Sequence, residues 1–261
     1  MLDWLRVTSA DAKALSPNAE SAPRPRSLLR AVAVPAEHGG WGLTAEPVAL
    51  GLLVAPSISA GLLLVVAFGA FLARTPLKIA LGDWRRRRRL PRTMLARRVV
   101  TAELVIIGTA LATVALRSSR GWWLSLLAAV PLAGVEIYFD MQAKGRRLVP
   151  ELCGAAAISS TAAAIARAGG ARWELAGSLS LLLVARAIGS VPFARAEVMR
   201  WRRRSVDLRV PILAQGVAFA TAGAGSALWA VPWPSVLAIA TFGLWAIWSL
   251  QRRPIQPKLL G

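Results

Sequence analysis

The chain has 261 residues, 56% of them hydrophobic, yet it carries 32 Lys and Arg against 13 Asp and Glu, a net charge of +19. A mean hydropathy of +0.52 beside that charge excludes an ordinary soluble domain and suits a membrane protein, whose apolar spans lie in lipid and whose Arg and Lys gather in loops on one side. Nucleic-acid-binding proteins can be as basic, but they have no need of so many apolar runs, so no nucleic-acid partner is expected.

Residues 1–33 mix Pro, Ser, Ala and charge, hold no apolar core long enough for a signal peptide, and read as a flexible cytoplasmic tail. About 20 helical residues cross the hydrocarbon core. On that measure eight segments follow, at about 36–55, 57–74, 98–116, 122–139, 152–167, 174–192, 210–230 and 233–250. They make one transmembrane helical domain over 34–251, with a short cytoplasmic tail at 252–261. The loops between them alternate in charge. TPLKIALGDWRRRRRLPRTMLAR, DMQAKGRRLVPE, FARAEVMRWRRRSVDLR and both tails fall on one side; a Pro-Ser turn, RSSRG, AGGAR and VPWP fall on the other. The bias of basic loops toward the cytoplasm puts the first side, and both termini, inside. The predicted fold is therefore all-α: a polytopic transmembrane helix bundle of about eight spans in two four-helix halves, located in the cell membrane. Its expected partners are the lipid bilayer and, at the basic loops, anionic lipid. Nothing in the sequence fixes an oligomeric state.

The Trp residues support these spans. Eleven Trp stand against one Tyr, and the pairs Trp122–Trp123 and Trp229–Trp233 mark span ends, where indole rings favour the headgroup zone. An internal echo points to a repeat. DWRRRRR, preceded by Arg74 and Pro76, follows span two, and RWRRR, preceded by Arg186 and Pro192, follows span six. With Trp84 and Trp201 superposed, the prolines fall within one position of each other, as a parallel structural repeat would place them.

Charged groups inside a membrane are costly and mark functional interiors or ion pairs. Glu37 and the sole histidine, His38, open span one, where they read either as a proton-relay pair or as a polar interfacial cap beside Trp41. Glu46 lies nine residues beyond Glu37, roughly 13 Å deeper, and Pro47 after it is expected to kink or break the span. Glu103 sits about one turn into span three. Glu136 and Asp140 end span four at i,i+4 spacing, hence on one face. Arg74, Arg186, Arg195 and Gln215 occupy the same level. All of these fall in the inferred cytoplasmic half, which predicts a polar cavity open to the cytoplasm and able to bind an anionic lipid or isoprenoid-phosphate-like ligand. The sole cysteine, Cys153, and the single His offer no metal-ligand spacing, so neither a metal nor a cofactor is expected.

The stretch PAEHGGWGLTAEPVALGLL resembles the N-terminal signature of the YwiC-like membrane proteins, with Pro35, His38, Gly39, Trp41 and Pro47 at matching positions. FLARTPLKI and ARAIGSVPFARAEVMR, with Arg74, Pro76, Pro192 and Arg195, extend the resemblance over most of residues 34 to 210. It implies an integral membrane protein and transfers no catalytic residue. A more distant likeness is to the UbiA-type membrane prenyltransferases, which also have two four-helix halves and active-site loops after spans two and six. The Asp-rich magnesium motifs of those enzymes are replaced here by the isolated Asp83, Glu197 and Asp207. Three functional readings follow: a non-catalytic lipid-binding protein, a membrane transferase without magnesium chemistry, and a solute or ion transporter using Glu46 and Arg186.

Overall fold

A computed structural model of the chain describes residues 28–35, 38–87, 90–118, 121–142, 147–252 and 254. The described residues are helical and form no strand: α1 (Leu28–Ala33), α2 (His38–Val54), α3 (Ile58–Arg85), α4 (Pro91–Arg117), α5 (Trp123–Met141), α6 (Leu148–Gly169), α7 (Trp173–Trp201), α8 (Arg209–Leu228) and α9 (Trp233–Leu250). Seven of them, α3 to α9, are long and apolar enough to cross a membrane. With 17 residues, α2 extends about 26 Å at 1.5 Å per residue, just short of a core of about 30 Å. The protein is an all-α polytopic bundle of about eight spans. Leu104, Val105 and Ile106 on α4, Leu213 and Val217 on α8, and Leu244 on α9 are exposed, which is how a surface bathed in hydrocarbon is built.

The helix boundaries have local causes. The Ser57 hydroxyl accepts from the Ala60 amide at 3.0 Å and caps α3. Pro91 opens α4 at a position where its missing amide costs nothing, and the Thr93 hydroxyl accepts from the Leu90 amide at 3.3 Å. Gly170, at φ 106°, ends α6.

Three expectations are corrected. The break at Pro47 is absent: α2 runs unbroken through it. The proline costs only its own amide bond to the Leu43 carbonyl, and its ring is fully buried against the neighbouring helices. The basic segments after spans two and six are helical over most of their length, because α3 and α7, at 28 and 29 residues, continue well past the hydrocarbon. Ala, Leu, Lys, Arg, Glu and Met in those extensions all favour helix. Finally, residues 28–33 of the expected flexible tail form α1. Val32 on it is buried against Ala80 of α3 and Ala96 of α4.

Packing centres on α6, whose run Ala162–Ala168 is almost wholly buried. Small side chains let α2, α3, α5 and α7 all lie against it. On the α2 side the approach is close: a Cβ on Gly51 would stand 2.8 Å from the Ile165 side chain and 3.0 Å from the Ala162 carbonyl oxygen. Val48, Leu63, Val66, Val114, Trp122 and Ile165 complete this main cluster.

The two halves correspond feature by feature. Linkers 55–57 and 170–172 join α2 to α3 and α6 to α7. Pro76 and Pro192, both buried, lie nine residues before the ends of α3 and α7 at Arg85 and Trp201. Each helix buries an acid near that end. Asp83 is 4% exposed and held by Arg92 and by the Thr93 hydroxyl at 2.6 Å; Glu197 is 0% exposed and held by Arg200. Each then leaves through an arginine in the left-handed region, Arg87 at φ 52° and Arg203 at φ 55°.

Opposite ends of the bundle differ in charge. Ala55 against Gly169, Gly121 beside Trp173, and Gly177 beside Trp229 bring one set of linkers together. At the other end, Arg85 donates to the Met141 carbonyl at 3.2 Å and Arg200 reaches the Arg252 carbonyl. Arg86, Arg87, Arg202, Arg203, Arg204 and Arg209 all belong to this second, basic end.

Candidate functional site

The residues singled out from sequence divide between two places. In the first, α3 presents Arg74 and Lys78 one turn apart, and α5 presents Glu136 and Asp140 at the same spacing, so the four charges meet as two adjacent rungs. Arg74 Nη2 lies 2.8 Å from Glu136 Oε1 and 3.3 Å from Asp140 Oδ2, while Lys78 Nζ lies 3.0 Å from Asp140 Oδ1. Among the described residues its two cations and two carboxylates balance, and the carboxylates are the enclosed part: the Asp140 side chain is 6% exposed and that of Glu136 19%, against 32% for Arg74 and 49% for Lys78. Glycine makes room for it. A Cβ on Gly154 of α6 would meet the Glu136 carboxylate at 2.6 Å, so α6 closes the cluster from below. The expected common face of Glu136 and Asp140 is what makes this possible, and Lys78 is the member that sequence reading missed. Its signal was present, because it lies four residues after Arg74.

In the second place, α2 and α7 pack on each other and are joined by the ion pair from Arg186 Nη1 to Glu46 Oε2 at 2.7 Å. These side chains are 47% and 32% exposed, more open than the carboxylates of the first cluster. They line a groove of about 330 Å³ whose other walls are apolar, among them Leu50, Leu182, Leu183, Ala218, Ile239 and Phe242, with Ser190, Gln215 and Ser235 as the further polar side chains. Gln215 of α8 is fixed by donating from Nε2 to the Gly189 carbonyl at 2.8 Å. The close approach requires glycine, since a Cβ at position 189 would lie 2.8 Å from Gln215 Oε1. The walls carrying Glu46 and Phe242 are α2 and α9, and these two helices share no packing interface. The groove is therefore not sealed by packing between these two helices. Ser190 and Ser235 were not foreseen as lining; nothing in the local sequence distinguishes them from other serines.

The remaining candidates lie elsewhere. Arg195 pairs with Glu151 of α6 at 3.3 Å, each side chain 35% exposed. Trp41 packs edge-on against Phe71 with ring centroids 5.0 Å apart. One oxygen of Glu103, Oε2, is buried without a hydrogen-bond partner on α4, a helix packed on α3 and α1. His38 is the first residue of α2, and Glu37, like Lys144 and Arg146, lies outside the described residues. Among the described residues no group of three or more His, Cys, Asp or Glu is placed to hold a metal ion.

The model of the YwiC-like protein family matches residues 34–166. The chain belongs to this family. The matched stretch begins at the PAEHGGW segment and runs from α2 into the last turn of α6, so it contains Glu46 and the whole Arg74 cluster. Arg186, which completes the groove of this YwiC-like protein, lies beyond it, as does ARAIGSVPFARAEVMR. No curated protein and no solved structure matches the chain, so the UbiA-type likeness rests on the sequence features quoted for it.

Proposed function

We propose that this YwiC-like membrane protein binds a phosphate-bearing amphiphile, of the lipid or isoprenoid-phosphate class, in the groove between α2, α7, α8 and α9. The observation that carries this reading is the half-exposed Glu46–Arg186 pair in a mainly apolar groove. Arg186 supplies planar donors suited to phosphate oxygens, Ser190, Ser235 and Gln215 add neutral polar contacts, and Leu50, Leu182 and Ile239 receive apolar chains. In this reading the basic end faces the cytoplasm of a cell membrane and holds both termini there, since the arginines concentrate at that end, and anionic headgroups gather around them. The Arg74 cluster is structural: its charges neutralise one another.

Mass spectrometry of lipid extracted from the purified protein tests the site. A phosphate-bearing amphiphile is expected to co-purify and to fall about tenfold in Arg186→Gln, the loss of one charge-assisted contact; equal recovery from both proteins would refute the assignment. A topology reporter fused after Arg172 is expected to lie outside the cell. A cytoplasmic signal there would overturn the orientation.

A further inference from the structure

The charges of the groove limit which head group it accepts, an inference that rests on the groove being an amphiphile site. Among the described residues its lining holds one cation, Arg186, and one anion, Glu46. They come from different helices, and at 47% and 32% exposure each keeps part of its side chain free to meet a ligand. A guanidinium has five N–H donors, and the contact to Glu46 is made through Nη1. A singly anionic head on the other donors of Arg186 would stand beside the Glu46 carboxylate and leave the groove with two negative charges to one positive. A purely cationic head on Glu46 would leave the opposite excess. Unpaired charge in such surroundings is far more costly than the same pair left intact. A head that carries both signs satisfies both partners and keeps the groove neutral.

We propose that the groove selects zwitterionic phospholipid head groups, with the phosphate on Arg186 and the ammonium on Glu46. The apolar walls, Leu50 and Leu182 to one side and Ile239 and Phe242 to the other, accept the acyl chains. Electrostatic matching of this kind sets specificity more than affinity, because it works by penalising the wrong partner.

Native mass spectrometry of the full-length protein, titrated with dioctanoyl phosphatidylethanolamine, dioctanoyl phosphatidylglycerol and uncharged dioctanoylglycerol, tests the assignment. The groove's share of occupancy, the part lost in Arg186→Gln while lipid held by the arginines of the basic end remains, is expected to be about tenfold greater for the zwitterionic than for the anionic lipid. Glu46→Gln removes the excess anion and is expected to bring that ratio to within about twofold. The exchanged pair Glu46→Arg with Arg186→Glu restores both charges, and recovery of the preference in it separates charge matching from damage to the fold. An Arg186-dependent share for phosphatidylglycerol equal to or above that for phosphatidylethanolamine, or an unchanged ratio in Glu46→Gln, would overturn the head-group assignment while leaving the groove an amphiphile site. If none of the three lipids binds, dioctanoylglycerol included, the groove reading itself fails, and the selection with it.

Discussion

The Arg74 cluster and the Glu46–Arg186 groove are built on corresponding helices and end as opposites. Both start from an arginine on a long, proline-containing helix, α3 in one half and α7 in the other. The fourth helix of each half is one place where they part. In α5, the residues 13 and 17 positions after Trp123 are Glu136 and Asp140; in α9, the residues 13 and 17 positions after Trp233 are Ala246 and Leu250, both buried. The first half supplies its own counter-charges and closes around them. The second half supplies apolar side chains, its arginine takes a carboxylate from α2 instead, and a groove remains. The two halves thus hold a charged brace and an open groove, and they differ in the position of the arginine along its helix as well as in these two positions of the fourth helix.

The sharpest way to break that contrast is to remove the space the brace needs. Gly154→Leu drives a side chain into the Glu136 carboxylate and leaves Arg74 partly unmatched. It is expected to cost about 3–5 kcal/mol, the range for breaking a buried ion pair, seen as lost folded protein after heating in detergent. Asp140→Asn keeps the shape but removes one of two carboxylates serving Arg74 and Lys78. Because both cations are partly exposed, about 2 kcal/mol of destabilisation is expected, measured by reversible unfolding in mixed micelles. Glu46→Gln, in the more exposed pair, is expected to cost about 1 kcal/mol or less of stability while altering lipid selection; a cost equal to that of Asp140→Asn would show that the groove pair is a brace as well. Smallest is Arg195→Ala. Its pair with Glu151 is 35% exposed on both sides, so a shift below about 1 kcal/mol is expected with lipid occupancy unchanged.

Much of this was legible in the sequence for a simple reason. Hydrocarbon imposes length and apolarity on each span, so helix ends from α4 to α9 fall within a few residues of the apolar segments, apart from the polar extensions at the basic end. Spacing within one helix was equally readable, which is why Glu136 and Asp140 proved to share a face. Contact between helices was not. Nothing in the local pattern of α2 says that Glu46 will meet Arg186, 140 positions away, rather than Arg74, which lies much closer in the sequence. The break expected at Pro47 does not occur because neighbouring helices hold the chain in place where a free helix would part. Lys78 and Gly154 were overlooked since neither is unusual alone; each acquires meaning only from the carboxylates that α5 brings to it.

The arginines that follow α3 and α7 carry a lesson for anyone engineering this protein. Arg87 and Arg203 stand in a backbone conformation that suits glycine and strains other residues by about 1 kcal/mol. Replacing either with glycine should therefore raise the melting temperature, a gain offset in part by the added freedom of the unfolded chain. In the proposed orientation the same exchange deletes a positive charge beside the lipid headgroups. A variant improved for crystallisation at these two turns would thus be weakened in the signal that sets its direction of insertion, and membrane yield, not thermal stability, is the quantity to watch while making it.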